Sequence, residues 1–158
     1  MMAVEAIPST YAGVTPYLIV DGAARAIDFY KEAFGAVECE RLSGPNGKVG
    51  HAEVRIHGAA VMLADEHPEM GILGPKSVGG TPVTLMFYVE DVDATFARAL
   101  DAGATVRRPI ENRFYGDRSG MLVDPFGHVW ALATHVEDVP PDEMRRRAEE
   151  FGKKQGCE

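Results

Sequence analysis

The apolar and polar positions of this chain fall into one pattern that occurs twice. Val14 to Asp21, VTPYLIVD, is β-branched and aromatic with no helical period, which predicts a strand. Behind it, GAARAIDFYKEAFGA sets Ala23, Ile27, Tyr30 and Phe34 on one helical face and stops at Gly35, a residue suited to a left-handed cap. AVECERL, GHAEVRIH and AAVMLAD then read as three strands, separated by the turns SGPNGK and HG. The first half is therefore strand, helix and three strands.

The second half repeats that order. VTLMFYVED from Val83 matches the first strand at an offset of 69, with Thr15 and Thr84 coinciding. VDATFARALDAGA is the second helix, with Val92, Phe96, Ala99 and Leu100 on one face and Gly103 at its end. TVRRPI, SGMLVD and HVWALATH are the closing strands. The pattern divides the chain into a tail (1–12), a domain (13–136), and a C-terminal helix and tail (137–158). Within the domain, module one spans 13–66, a Gly- and Pro-rich linker 67–81, and module two 82–136. After Pro141, Met144, Ala148 and Phe151 share a helical face, which predicts a helix for packing or dimerisation.

Composition narrows the partners. The chain is 46% hydrophobic and 25% charged, which suits one folded domain. A net charge of -8 repels phosphate backbones and favours a cationic ligand, so nucleic acid is not an expected partner. Neither a membrane span nor a signal segment is visible, and Cys39 and Cys157 form no disulfide framework, so the expected location is cytoplasmic. A serine-nucleophile elbow, a phosphate loop and paired Cys/His spacing are all absent.

The phrases TPYLIVDGAARAIDFYKEAFGA, HAEVRIHGAAVMLADE, VEDVDATFARALDAGA and FYGDRSGMLVDPFGHVWALATH resemble the vicinal oxygen chelate superfamily, in its PhnB-like glyoxalase/bleomycin-resistance branch. The resemblance implies an α+β fold of two βαβββ modules forming a partly open mixed-sheet barrel, completed in a homodimer. It also implies four metal-ligand positions, which fall here on Thr15, Thr84, Ala131 and Leu63, or Met62 if the register slips by one. None of these side chains ligates a divalent ion well, so no metal and no cofactor are expected.

The expected ligand-binding surface consists of Thr15, Tyr17, Leu63, Asp65, Thr84, Met86, Tyr88, Ala131 and Ala133, an apolar lining with a few hydroxyls. His135 shares the face of Ala131 and Ala133, either at the cavity rim or capping the strand end in solvent. Tyr115 and Arg118 precede the same hairpin; Arg118 can grip a planar anion or pair locally with Asp117. The leading expectation is a metal-free protein that binds a small organic molecule such as an antibiotic-like compound. The alternative is a glyoxalase or isomerase-type lyase using Tyr115 as acid, Arg118 as anion clamp and His135 as base, with glyoxalase I turnover itself near background. A third is a metalloenzyme with its site displaced to His51, Glu53 and His57, which an even spacing puts on one strand face.

Overall fold

Each half of the chain folds into a strand, a helix and a three-stranded meander, as the repeated pattern predicts. The computed structural model describes residues 3–156. Module one contains β1 (Tyr17–Val20), α1 (Ala23–Phe34), β2 (Val37–Ser43), β3 (Val49–Ile56) and β4 (Ala59–Asp65). A single 3-10 turn (Pro68–Met70) and the short helix α2 (Pro75–Val78) bridge to module two. That module contains β5 (Thr84–Tyr88), α3 (Val92–Asp101), β6 (Thr105–Asn112), β7 (Asp117–Val123) and β8 (Val129–His135); α4 (Pro141–Gln155) follows.

The strands form two four-stranded mixed sheets, ordered β1-β4-β3-β2 and β5-β8-β7-β6, and one chain does not close them into a barrel. In each sheet the first and last strands of the module pair in parallel and the other pairs are antiparallel. Tyr17 stands beside Met62 and Met86 beside Ala131, so the offset of 69 holds across the pairing as well as along the chain.

Each helix is tied at its start to the last strand of its own module. The Asp65 carboxylate accepts the Gly22 and Ala23 N–H groups at 2.8 Å each and the Val49 N–H at 2.7 Å. Burial pushes the Asp65 carboxyl up, but these three donors together hold it below the usual value. At the repeat position, the Thr134 hydroxyl accepts the Val92 N–H at 2.9 Å and donates to the Val89 carbonyl at 2.8 Å. Orphan donors at both helix starts thus find partners on a neighbouring strand.

The helix-facing sides of the two sheets share one core. Ile27, Tyr30 and Phe34 of α1 are fully buried, as are Leu63, Leu122 and Leu132 of the sheets. From α1 the rings of Tyr30 and Phe34 reach Trp130 of β8, 5.4 and 4.9 Å between centroids. Asp124, in the turn between β7 and β8, holds this junction: its buried carboxylate accepts Tyr30 Oη at 2.6 Å and Trp130 Nε1 at 2.9 Å. It also accepts the N–H groups of Phe126 and His128 at 2.9 and 3.0 Å. His128 reaches the Ile19 carbonyl of β1 at 2.9 Å, so it joins the two modules as well as closing its own turn.

The opposite side of each sheet carries no helix. Tyr17, Met86 and Tyr88 stand there 49%, 52% and 53% exposed. The apolar stripe of α4 is lightly used within the chain: no residue of that helix is buried, and Phe151 packs on the Phe114 ring at 5.2 Å. Arg147 anchors the helix through the Phe114 carbonyl and the Glu137 carboxylate. Cys39 is an exposed free thiol, and Cys157 lies outside the described residues.

Replacing Asp124 by Ala strands a phenol, an indole N–H and two amide N–H groups in the interior. The expected loss is about 3 kcal/mol or more, read from the denaturant midpoint at unchanged slope. A loss below about 1 kcal/mol would show that the module junction does not depend on this carboxylate.

Candidate functional site

The helix-free face of the second sheet is built from alternate residues of three strands. Register pairs Asp117 with His135, Ser119 with Ala133 and Met121 with Ala131 on β7 and β8, and pairs Thr84, Met86 and Tyr88 of β5 with Val129, Ala131 and Ala133. Thr84, Met86 and Tyr88 are exposed and Ala131 is half-buried. Ala133 shares the face but is fully covered, so in its row Tyr88 and Ser119 form the surface.

At the end of this face four side chains are linked through Asp117, which is buried. The Tyr88 hydroxyl donates to Asp117 Oδ2 at 2.7 Å, and His135 Nδ1 lies 2.9 Å from Oδ1. The other imidazole nitrogen, Nε2, is 2.7 Å from the carboxylate of Asp138, which is fully exposed. Asp138 reaches this position because the chain after β8 folds back on Gly116, whose carbonyl accepts the N–H groups of Val136 and Glu137. Gly116 has φ 98°, and a Cβ there would lie 2.1 Å from the Glu137 carbonyl oxygen, so only glycine permits this approach.

Hydrogen bonds donated to Asp117 first and to Asp138 second hold the His135 imidazole above its ordinary value of 6.5. The Tyr88 hydroxyl's own bond to the other Asp117 oxygen raises the phenol. His135 is thereby favoured as an imidazolium with both N–H groups donating, and Tyr88 as a neutral phenol. Tyr115 flanks the cluster, 40% exposed, with its ring edge-on to Phe114 at 5.3 Å.

The matching face of the first sheet is more polar. Tyr17 Oη lies 2.8 Å from His51 Nδ1, and buried Glu53 accepts the Tyr11 hydroxyl and pairs with Arg55 at 3.3 Å. Tyr11 and Thr15, ahead of β1, line a cavity of about 370 Å³ with Leu85, Met86, Phe87 and Trp130. A groove of about 770 Å³ runs past Tyr88 and His135 to Glu90, Asp91, Arg98 and His57.

Four expected positions lie elsewhere. Leu63 is in the core and Asp65 caps α1, because β4 turns Met62, the partner of Tyr17, to the helix-free face. Arg118 alternates with Asp117 and so points to the helix side, where Asp93 of α3 takes its guanidinium through two bonds of 2.8 Å. Arg118 is therefore no anion clamp beside Tyr115 and His135. His57 is in the hairpin turn with φ 48° and its ring lies tilted against Phe87 at 5.2 Å, so it does not join His51 and Glu53.

Among the described residues no group of three or more His, Cys, Asp or Glu is arranged to hold a metal ion. With the register settled, the positions assigned by resemblance carry Thr15, Met62, Thr84 and Ala131. Two hydroxyls, a thioether and a methyl do not fit a divalent ion. Asp117 and Asp138 were not foreseen as partners of His135. Counting outward from the DPFG turn, which closes on the Asp124–His128 backbone bond, would have set Asp117 opposite His135.

A protein-family model described as the Glyoxalase/Bleomycin resistance protein/Dioxygenase superfamily matches residues 11–132. Over 147 residues the chain is 50% identical to uncharacterized protein Rv0887c of Mycobacterium tuberculosis, covering 91% of this chain and 84% of that one. The crystal structure of TioX from Micromonospora sp. ML1 matches with a TM-score of 0.62 at 26% identity, covering 80% of this chain and all of that one. A PhnB protein from Bacillus cereus matches with a TM-score of 0.62 at 20% identity, over 78% of this chain and 99% of that one, a likeness of fold alone. No helix of the described residues is long and apolar enough to cross a membrane.

The raised His135 value fixes the sign of its pH dependence. Its contribution to stability is fully present below the unfolded value near 6.5 and is lost as pH rises through the higher folded value. Titration of the imidazole by NMR is expected to give a midpoint above 6.5 that falls in Asp117→Asn. A midpoint at or below 6.5 would contradict the geometry.

Proposed function

The chain belongs to the Glyoxalase/Bleomycin resistance protein/Dioxygenase superfamily, and on that premise we propose a metal-free, PhnB-like protein that binds a small organic molecule on the helix-free face of its second sheet. The observation carrying this reading is the surface itself: exposed Met86 and Tyr88 around half-buried Ala131, an apolar patch with hydroxyls. Such a surface gains from covering an organic ring and offers little to a bare cation.

A second copy of the chain completes the pocket in this proposal. The helices occupy the inner side of both sheets, so the two helix-free faces of one chain cannot enclose a ligand between them. Pairing the first sheet of one protomer with the second sheet of its partner would enclose the ligand and remove Tyr17, Met86 and Tyr88 from water.

Ala131→Trp fills the centre of the face and is expected to weaken binding at least about tenfold across a calorimetric panel of hydrophobic cations and carboxylates. Light scattering of parent and variant is expected to give twice the 17.1 kDa of one chain. Undiminished binding in Ala131→Trp removes this face from the site, and a clean monomer removes the composite pocket.

The link from His135 through buried Asp117 to Tyr88 supports a second reading, a proton-transferring isomerase or lyase. Under it, His135→Ala lowers turnover by about 100-fold or more at nearly constant affinity, whereas a binder has no turnover to lose.

A further inference from the structure

We infer that His135 is the subsite for a carboxylate carried by the ligand, and that Asp138 holds this place until the ligand displaces it. The inference rests on the ligand face described above and adds the chemical class of the ligand.

The two carboxylates on His135 differ in surroundings. Asp117 is buried, bonded also to Tyr88, and set opposite His135 by the β7–β8 register. Removing it would leave the imidazole and the phenol without their common acceptor, so it is the fixed partner. Asp138 is fully exposed, lies outside any strand or helix, and bonds the nitrogen turned away from Asp117. An exposed pair of this kind contributes little and exchanges readily.

Asp138 thus marks with its own carboxylate where another carboxylate fits. The exchange leaves the imidazole with the same charge partners: His135 and Asp117 remain a pair, and the ligand's carboxylate takes the place of the Asp138 carboxylate, which turns to solvent. The charged groups along the adjoining groove are mixed in sign. Glu90 and Asp91 stand with Arg98 and His57 on its walls, and Asp91 already accepts the Ala94 N–H at 3.1 Å. The ligand's apolar body would extend from His135 along Tyr88 towards Met86 and Ala131, which share the face. The expected class is an amphipathic carboxylate, whereas the net charge of -8 alone favours a cation.

Naphthylacetate and its neutral analogue naphthylacetamide separate the contributions, with binding followed by calorimetry and by the His135 ring resonances. Asp138→Asn is expected to tighten naphthylacetate about threefold to fivefold and to leave naphthylacetamide unchanged. His135→Phe is expected to abolish the preference for the acid. In the parent that preference is expected to fade as pH rises through the His135 midpoint.

Equal binding of acid and amide in the parent, or an Asp138→Asn effect of the same size on both, would overturn the inference. Failure of naphthylacetate to bind parent and Asp138→Asn alike would do so too. Ala131→Trp keeps the two proposals apart: loss of both probes in that variant, with no preference for the acid in the parent, leaves the ligand face standing and removes the carboxylate subsite.

Discussion

The buried carboxylate of Asp124 is the interaction on which the arrangement of the two modules depends. It accepts a phenol from α1, an indole from β8 and two amides of its own turn, so one charged group fixes a helix of the first module against the sheet of the second. A carboxylate away from water is tolerated when its lone pairs are occupied, and these four donors occupy them. Tyr30 and Phe34 then pack on Trp130, and the phenol of Tyr30 is pushed well up by burial and by the neighbouring charge. Because both sheets turn their helix-covered sides to this junction, their other sides face outward.

That consequence decides where a ligand can sit. In one chain the two helix-free faces look away from each other, with Tyr17 exposed on the first and Met86 and Tyr88 exposed on the second. The first face is occupied in part by the chain itself, through Tyr11 on Glu53 and Arg55 beside them. Charged and hydroxyl groups on the second face concentrate at the end of β8, and its centre is small and apolar around Ala131. This division, a polar anchor at one end and an apolar floor beside it, suits a molecule with one ionic group and a hydrophobic body.

The glycine at position 116 connects the fold to that anchor. Its positive φ and lack of a side chain let the segment after β8 fold back, which carries Asp138 to the imidazole. From the same segment Glu137 pairs with Arg147 of α4, so the C-terminal helix is held beside the site.

The sequence by itself determined the order of elements, the duplication and the family. Those follow from local periodicity, and two copies of one pattern reinforce each other. The extended register was also within reach: the offset of 69 from Ala131 lands on Met62, which would have placed Leu63 in the core. Only the tertiary structure decided which sheet side the helices cover and which charges meet. Alternation puts Asp117 and Arg118 on opposite faces, and the DPFG turn sets Asp117 opposite His135, but neither says that Asp93 waits for Arg118 on the helix side. Asp93 lies 25 residues away in the chain, on a helix brought close only by the packing of α3 on its sheet. Hydrogen bonding at such separations depends on where the backbone has already been carried, and a one-dimensional pattern of apolar and polar residues holds no record of that.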